Sequence, residues 1–422
     1  MKHNIPSHLL VIVLMVFVQL SCKKDDVITP TPEQPGKQKD IEWPSLAKSA
    51  WPMAHHDPQS TGRSQYAALP EGKYQWSRLG FKSWGSTVID VDGTVYYETD
   101  DSTNAVAYAL VAVSQDGTVK WKTRISPSSG IYEKNHTSII ISSIGLIYVI
   151  SRDQKLYAVR RDGTIAWSVS ASSSIWSKGL AIGVDGTIYC VAKDGMLNAI
   201  SADGLILWTK NAGNGFYKSS SGPPIVFSPD GKTLYVAAAS AGMYAVGTNG
   251  EIQWFNDRVT NDFYGCRLVD NTGNIYATIN DSIVCFAPDG KMIWSNVETK
   301  YPLGFSMDYD GNLFAMCTYP ANSVGRSIIS IDQSGKIRWA HSLPAGFVGD
   351  LVCDKDGTVY FGSYDTDKSY YAVKNDGTLK WVIYHGYLAD FSASPAIAAD
   401  GSIYVGSGGG GTGGDNGLFK FK

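Results

Sequence analysis

The chain has 422 residues, enough for two or three ordinary domains or for one large all-β repeat domain. Hydrophobic residues make up 44% and charged ones 18%, which excludes a largely disordered chain, and 44 Gly with 24 Tyr and 12 Trp favour short strands and tight turns over helices. A net charge of −3 excludes a basic field that would recruit nucleic acid.

At the N-terminus Lys2 precedes an apolar run at residues 9–20, broken only by Gln19. The run is short for a membrane span, so residues 1–21 read as a signal peptide and stand outside the fold. Small Ser21 then precedes Cys22. Residues 22–48 contain Lys23-Lys24-Asp25-Asp26 and a Pro-rich polar stretch that cannot bury a core, and they read as a tether. Residues 49–69 read as a leader. His55-His56-Asp57 within it could suggest a metal, but consecutive side chains of an extended segment point to opposite sides. Packing is the expectation there, and no metal site is expected anywhere in the chain.

From residue 70 onward the sequence is periodic. A Gly stands four residues before a Trp eight times, as in DGTVKW, and the Trp residues are Trp76, Trp121, Trp167, Trp208, Trp254, Trp294, Trp339 and Trp381. Their spacings run from 40 to 46 residues, in the range of one propeller blade. A second set of Gly motifs, such as DGTIYC and DGSIYV, interleaves with the first and carries an aromatic residue three or four positions after the Gly. A third segment, as in YAVRRDG, precedes most Trp motifs. Each repeat therefore reads as four short strands joined by Asx-Gly turns.

One such unit cannot bury both faces, whereas radial stacking can. The ends of the chain fit a closed ring. After Trp381 come an inner strand at 392–399, a second at 402–406 and a third at 418–422, and then the chain stops. The missing outer strand is 72–76. The fold class expected is all-β, an eight-bladed β-propeller with four-stranded antiparallel blades over residues 70–422, its last blade closed by the N-terminal strand.

Five cysteines lie in this region: Cys190, Cys266, Cys285, Cys317 and Cys353. Their number is odd, none are adjacent, and they are expected to be small buried hydrophobes. Asp90-x-Asp92-Gly, Asp308-x-Asp310-Gly and Asp354-x-Asp356-Gly resemble pieces of Ca²⁺ loops but lack the further carboxylates, so turn chemistry explains them. No nucleophile elbow or phosphate-binding loop is present.

The Gly-x-x-x-Trp ending resembles the tryptophan-docking repeat of the pyrroloquinoline-quinone (PQQ) propeller superfamily, over about residues 70–422. The stretch WPMAHHDPQSTGRS is similar to the segment before the first blade in PQQ-like repeat proteins. Thr-Gly is common at the turn in that family, and here it is mostly Asp-Gly or Asn-Gly, which points to the binding branch and not the dehydrogenases. The resemblance implies, for an enzyme, a vicinal Cys-Cys bridge beside the quinone, a stacked Trp, Ca²⁺ and a catalytic Asp. The adjacent cysteines are missing, so neither a cofactor nor catalysis is expected. Ser21-Cys22 resembles a lipobox, which implies acylation of Cys22 and an anchor in the lipid bilayer. The Lys and acidic pair after it resemble the surface-export signal of Bacteroidetes-type lipoproteins. Together these imply an outer-membrane lipoprotein facing the exterior, with the periplasmic face as the alternative.

In such propellers the loops from an outer strand to the next inner strand open on the same face as those between strands two and three. Before the expected inner strands stand Trp84, Tyr132, Trp176, Phe216 with Tyr217, Phe263 with Tyr264, Tyr301, Phe347 and Phe391. Lys178, Lys218, Arg258 and Asp262 lie among them, and segments 319–326, 364–369 and 407–416 form the second loop set. An aromatic ring with polar neighbours suits sugars and protein anchors alike. The expectation is a non-catalytic binding or accessory lipoprotein for glycan or nutrient capture with an outer-membrane uptake complex, its propeller monomeric. The alternatives are a BamB-like scaffold in outer-membrane protein assembly and, last, a PQQ-dependent or carbohydrate-active enzyme.

Overall fold

The computed structural model describes residue 1 and residues 36–422, except 70, 80–82, 102–106, 127–137, 152, 174, 212–224, 238–241, 258–267, 280, 324, 344–348, 364–368, 385–390, 392 and 409–416. Among the described residues thirty-two strands, β1 (Tyr74–Leu79) to β32 (Gly417–Phe421), make eight four-stranded sheets. Blade 1 runs β2 (Val88–Ile89), β3 (Val95–Asp101), β4 (Ala107–Val113) and β5 (Val119–Ser126), each antiparallel to the next. Blades 2 to 7 repeat that order. Blade 8 combines β30 (Ala396–Ile397), β31 (Ile403–Ser407), β32 and, at its outer edge, β1. Tyr74 pairs with Phe421 and Leu79 with Gly417, so the first strand closes the ring as expected.

The first strands of neighbouring blades touch one another: β2 meets β6 (Ile139–Ile141), and β22 (Lys300–Met307) meets β26 (Val352–Cys353). They therefore surround the axis. Most are only two or three residues long, whereas β10 (Ile175–Ile182) and β22 each have eight.

The three sequence motifs have one packing explanation. The aromatic of the second strand lies against the Trp of its own blade, from Tyr96–Trp121 at 5.6 Å to Tyr404–Trp76 at 6.0 Å. The third strand places a small residue opposite that Trp. Ala112 faces Trp121, Ala158 faces Trp167, Ala245 faces Trp254 and Ala372 faces Trp381, each followed at once by a bulge. The Gly of the outer turn then carries the Trp of the preceding blade. A Cβ on Gly163 would sit 2.8 Å from Trp121, and one on Gly377 2.8 Å from Trp339. Both glycines have φ near +85°, so turn geometry and the stacked indole each require Gly.

Cys190, Cys285, Cys317 and Cys353 are free thiols buried in strands, as expected, and burial pushes the Cys190 thiol up to about 12. Cys22 and Cys266 lie outside the described residues. One boundary differs from the sequence reading. Residues 36–48, expected to be tether, belong to the same compact unit as the propeller. Trp43, Leu46 and Ala47 are buried, and the Trp43 indole donates to the Ile182 carbonyl at 2.9 Å. Three apolar residues, scattered in a Pro- and Lys-rich stretch, docked a segment whose average composition is that of a linker.

Candidate functional site

Residues 36–69 form a strap across the end of the axis where the first and second strands turn. The inner edge of each first strand has amides with no neighbour in its own sheet. The strap supplies carbonyls to six of them. Ile89 N donates to Trp51 O at 2.8 Å, Ile141 N to Pro52 O at 2.8 Å and Phe227 N to Pro58 O at 2.9 Å. Val269 N donates to Gln59 O at 2.9 Å, Met307 N to Thr61 O at 2.9 Å and Cys353 N to Gly62 O at 2.8 Å. Each donor is the residue just before its blade's first turn, so the strap visits blades 1, 2, 4, 5, 6 and 7 at equivalent positions. In blade 3 Trp43 and Ser45 donate instead, to the carbonyls of Ile182 and Gly183.

Such a path bends sharply. His55, His56 and Ser60 all have φ between 56° and 74°, the left-handed region. Asp57 holds the bend by accepting from Thr61 N at 3.0 Å and from the Thr61 hydroxyl. Burial pushes the Asp57 carboxyl up, but His56, Arg63 and Thr61 outweigh it and leave it below its usual range. Arg63, 1% exposed, ties the strap's two ends together. Its guanidinium donates to Lys39 O at 3.1 Å, approaches Asp40 Oδ1 at 3.4 Å and lies 4.4 Å over the Tyr309 ring. Tyr309 in turn donates to Asp40 at 2.8 Å.

The buried turn aspartates bond within their turns and to neighbouring segments. Asp90 takes a bidentate pair from Arg161 of the next blade at 2.7 and 2.8 Å. Asp308 accepts from Asn312 and from Asn375 of the next blade, and Asp354 from Tyr360, Thr358 and the strap amide of Ala68. Burial raises the carboxyls of Asp308 and Asp354 despite those donors. His56 packs on Trp51 with ring centres 5.0 Å apart, and His55 Nε2 faces Asp350 at 3.4 Å. His55, His56 and Asp57 are thus engaged in holding the strap.

Of the aromatic ring expected from the sequence, Trp84, Trp176, Tyr301 and Phe391 fall on described residues. Tyr132, Phe216, Tyr217, Phe263, Tyr264 and Phe347, with Lys218, Arg258 and Asp262, lie outside the described residues. Trp176 and Lys178 have their backbone in β10 and their side chains outside what is described. Tyr301 lies in β22, so in these two blades the first strand starts before the aromatic, not after it. Tyr301 is 54% exposed, and Arg326 donates to its carbonyl at 2.9 Å with the guanidinium 5.9 Å from the ring. Trp84 is half-buried, and its indole occupies the place a Cβ on Gly408 would need. Phe391 is 1% exposed and packs edge-on against Tyr370 and Phe419, at 5.7 and 5.2 Å. Phe391 and Trp84 thus pack at the seam around blade 8, and Tyr301 is the member of the three that faces solvent.

Sequence reasoning missed the strap's carbonyl ladder and the buried polar residues Thr87, Glu98 and Ser394. Backbone bonding leaves no residue signature. Glu98 had one, a carboxylate at a core position of an aromatic strand. Among the described residues, nothing reproduces the adjacent cysteines or the metal ligands that the superfamily's enzymes place around a quinone. The cysteines are separated, each described one is enclosed in its own strand, and no His, Cys, Asp or Glu cluster suited to a metal occurs among the described residues.

The fold is shared by enzymes and non-enzymes. The quinohemoprotein alcohol dehydrogenase of Comamonas testosteroni aligns with a TM-score of 0.67 at 13% identity, over 89% of this chain and 80% of that one. BamB of Moraxella catarrhalis aligns at 0.59 and 12% identity, over 83% and 99%. A catalytically inactive virginiamycin B lyase of Staphylococcus aureus, solved with quinupristin, aligns at 0.51 and 15% identity, over 83% and 99%. At these identities the likeness is one of fold. No curated protein matches the sequence. The family profile described as outer membrane protein assembly factor BamB matches residues 106–286 and 279–416, more than half of the sequence, and the chain belongs to that family of PQQ-like propellers.

Proposed function

We propose that the chain is a non-catalytic scaffold of an outer-membrane protein assembly, anchored by acylation of Cys22, with the loop end of the ring as its working face. The observation that carries this reading is the strap. Its backbone bonds tie the first strands of six blades to one segment at the turn end. With the turn end occupied by the strap, the loop end is the face we assign to docking. Rigid presentation of loops on a closed ring suits docking. Membership of the BamB family supports the assembly role and an outer-membrane location.

A second reading, glycan capture with an uptake complex, is favoured by Tyr301, an exposed ring beside the Arg326 guanidinium. The two readings differ in their companions. The native lipoprotein is captured from membranes in mild detergent and its companions are identified by mass spectrometry. Barrel-assembly proteins are expected. A TonB-dependent transporter with glycan-handling lipoproteins, and no barrel-assembly protein, would replace the first reading with the second.

A further inference from the structure

Where the strap meets blades 7, 8 and 1, several buried polar atoms have no partner among the described residues. They are Trp51 Nε1, His55 Nδ1, Thr87 Oγ1 and Ser394 Oγ. Trp51 and Thr87 are 0% exposed, and Ser394 is 4% exposed. These residues belong to one neighbourhood. Thr87 N donates to Ser394 O at 3.2 Å, and Trp51 bridges Ile89, two residues beyond Thr87. Trp51 shares an apolar cluster with Ala393, Ala396 and Val352, and His55 reaches Asp350 just before that last strand. Among the described residues no strap carbonyl takes the amide of Ile397, the blade 8 equivalent of the six bonded positions. At blade 8 the strap instead donates from Leu69 N to Gly401 O at 3.1 Å.

Orphaned buried polar atoms cost stability, and folded proteins rarely leave several together unless something else satisfies them. The chemistry of the set defines that occupant. An indole N–H donates. The imidazole tautomer that donates from Nε2 to Asp350 leaves Nδ1 an acceptor. Two hydroxyls do either. None of the four atoms carries a fixed charge. We infer that the strap and blades 7, 8 and 1 enclose a binding site for a small neutral hydroxyl-bearing molecule, a water cluster in its minimal form and a polyol or sugar in its larger one. The site does not depend on which proteins dock at the loop end, so it stands or falls apart from the scaffold reading.

The full chain, purified in detergent, is crystallised without any polyol and again with glycerol or glucose, and melted with and without each. Non-protein oxygen density within hydrogen-bond reach of at least two of the four atoms is expected. Thr87→Val and Ser394→Ala keep shape but lose the hydroxyl, and each is expected to lower Tm by about 1 to 2 °C. A saturable rise of Tm with glucose or glycerol, absent in the double variant, assigns a solute. Oxygen density with no such rise assigns water. Dry density, together with variants that melt at or above the parent temperature, overturns the site, because removing an unsatisfied hydroxyl should then relieve a cost. A destabilised variant that is fully folded at 25 °C keeps the melting comparison readable.

Discussion

The junction that closes the ring differs from the junctions inside it. At six of the eight, the indole of the preceding blade donates to a backbone carbonyl two residues before the stacked Gly. Trp121 reaches Arg161 O at 2.8 Å, Trp294 reaches Gln333 O at 3.0 Å and Trp339 reaches Asn375 O at 2.7 Å. Trp76, Trp167 and Trp254 do the same. Trp381 rests over Gly72 with the same stacking, but its Nε1 is buried without an acceptor among the described residues. The topology of this junction differs as well. Elsewhere the carbonyl sits in the hairpin turn between the third and fourth strands. In blade 8 the fourth strand comes from the other end of the chain, so no such hairpin exists. The closing junction relies on strand pairing and ring packing instead: Tyr74 with Phe421, and Phe421 stacked on Tyr370 at 5.1 Å.

That contrast is broken most directly at Phe421. The side chain is 1% exposed and touches Tyr370, Phe391 and Phe419. Phe421→Ala is expected to cost about 3 to 5 kcal/mol in urea unfolding. It should also speed hydrogen exchange of the β1 amides well beyond those of β5. A loss under about 1 kcal/mol, or equal exchange in both strands, would show that ring packing at β32 is not what holds the closure.

The contrast sharpens with a matched pair. Trp339→Phe removes a hydrogen bond, whereas Trp381→Phe removes an N–H that has no acceptor among the described residues. Both lose similar ring area. Trp339→Phe should therefore be the more destabilising by about 1 kcal/mol, the net worth of one such bond. Equal losses in urea midpoints at constant m-value would mean that the Trp381 indole is bonded in solution.

Much of this seam was legible in the sequence because each part is a residue type at a fixed spacing. Gly four before Trp is the stacked platform, the aromatic after the inner Gly is the ring beneath the Trp, and the Ala of the third strand is the small partner across from it. The closing strand was legible because counting strands left blade 8 one short. The strap was not. Its six bonds use backbone carbonyls, which any residue offers, and beside Gly62 its bend takes three left-handed residues, His55, His56 and Ser60, whose types give no sign of that conformation. The candidate site was legible only as composition. Trp84, Tyr301 and Phe391 look alike in sequence, yet one sits against Gly408, one faces solvent and one is core. Only the packing around blade 8 separates them.

The smallest effect tests the electrostatics of the strap against those of the open turns. Asp354 is fully buried beneath the strap amide of Ala68, and burial raises its carboxyl above the ordinary range, with Asp308 behaving alike. Asp116 lies in an exposed turn, where the Ser114 hydroxyl and Thr118 amide hold it down to about 2. The two classes pull stability in opposite directions. Between its unfolded and folded values a raised carboxyl binds more protons in the folded state, so its contribution falls as pH rises through that window. A depressed one loses its contribution as pH falls from the unfolded value of about 4 toward its folded value. Urea stability should therefore rise slightly on acidification from pH 7.5 toward about 4.5 and drop below that. Asp354→Asn should lower the whole curve, because Tyr360 and Ala68 both need an acceptor, and should flatten the rise. Asp116→Asn should leave that rise intact and soften the loss at lower pH. A rise unchanged in Asp354→Asn would mean that the carboxyl beneath the strap titrates like an exposed one, and that the strap admits water.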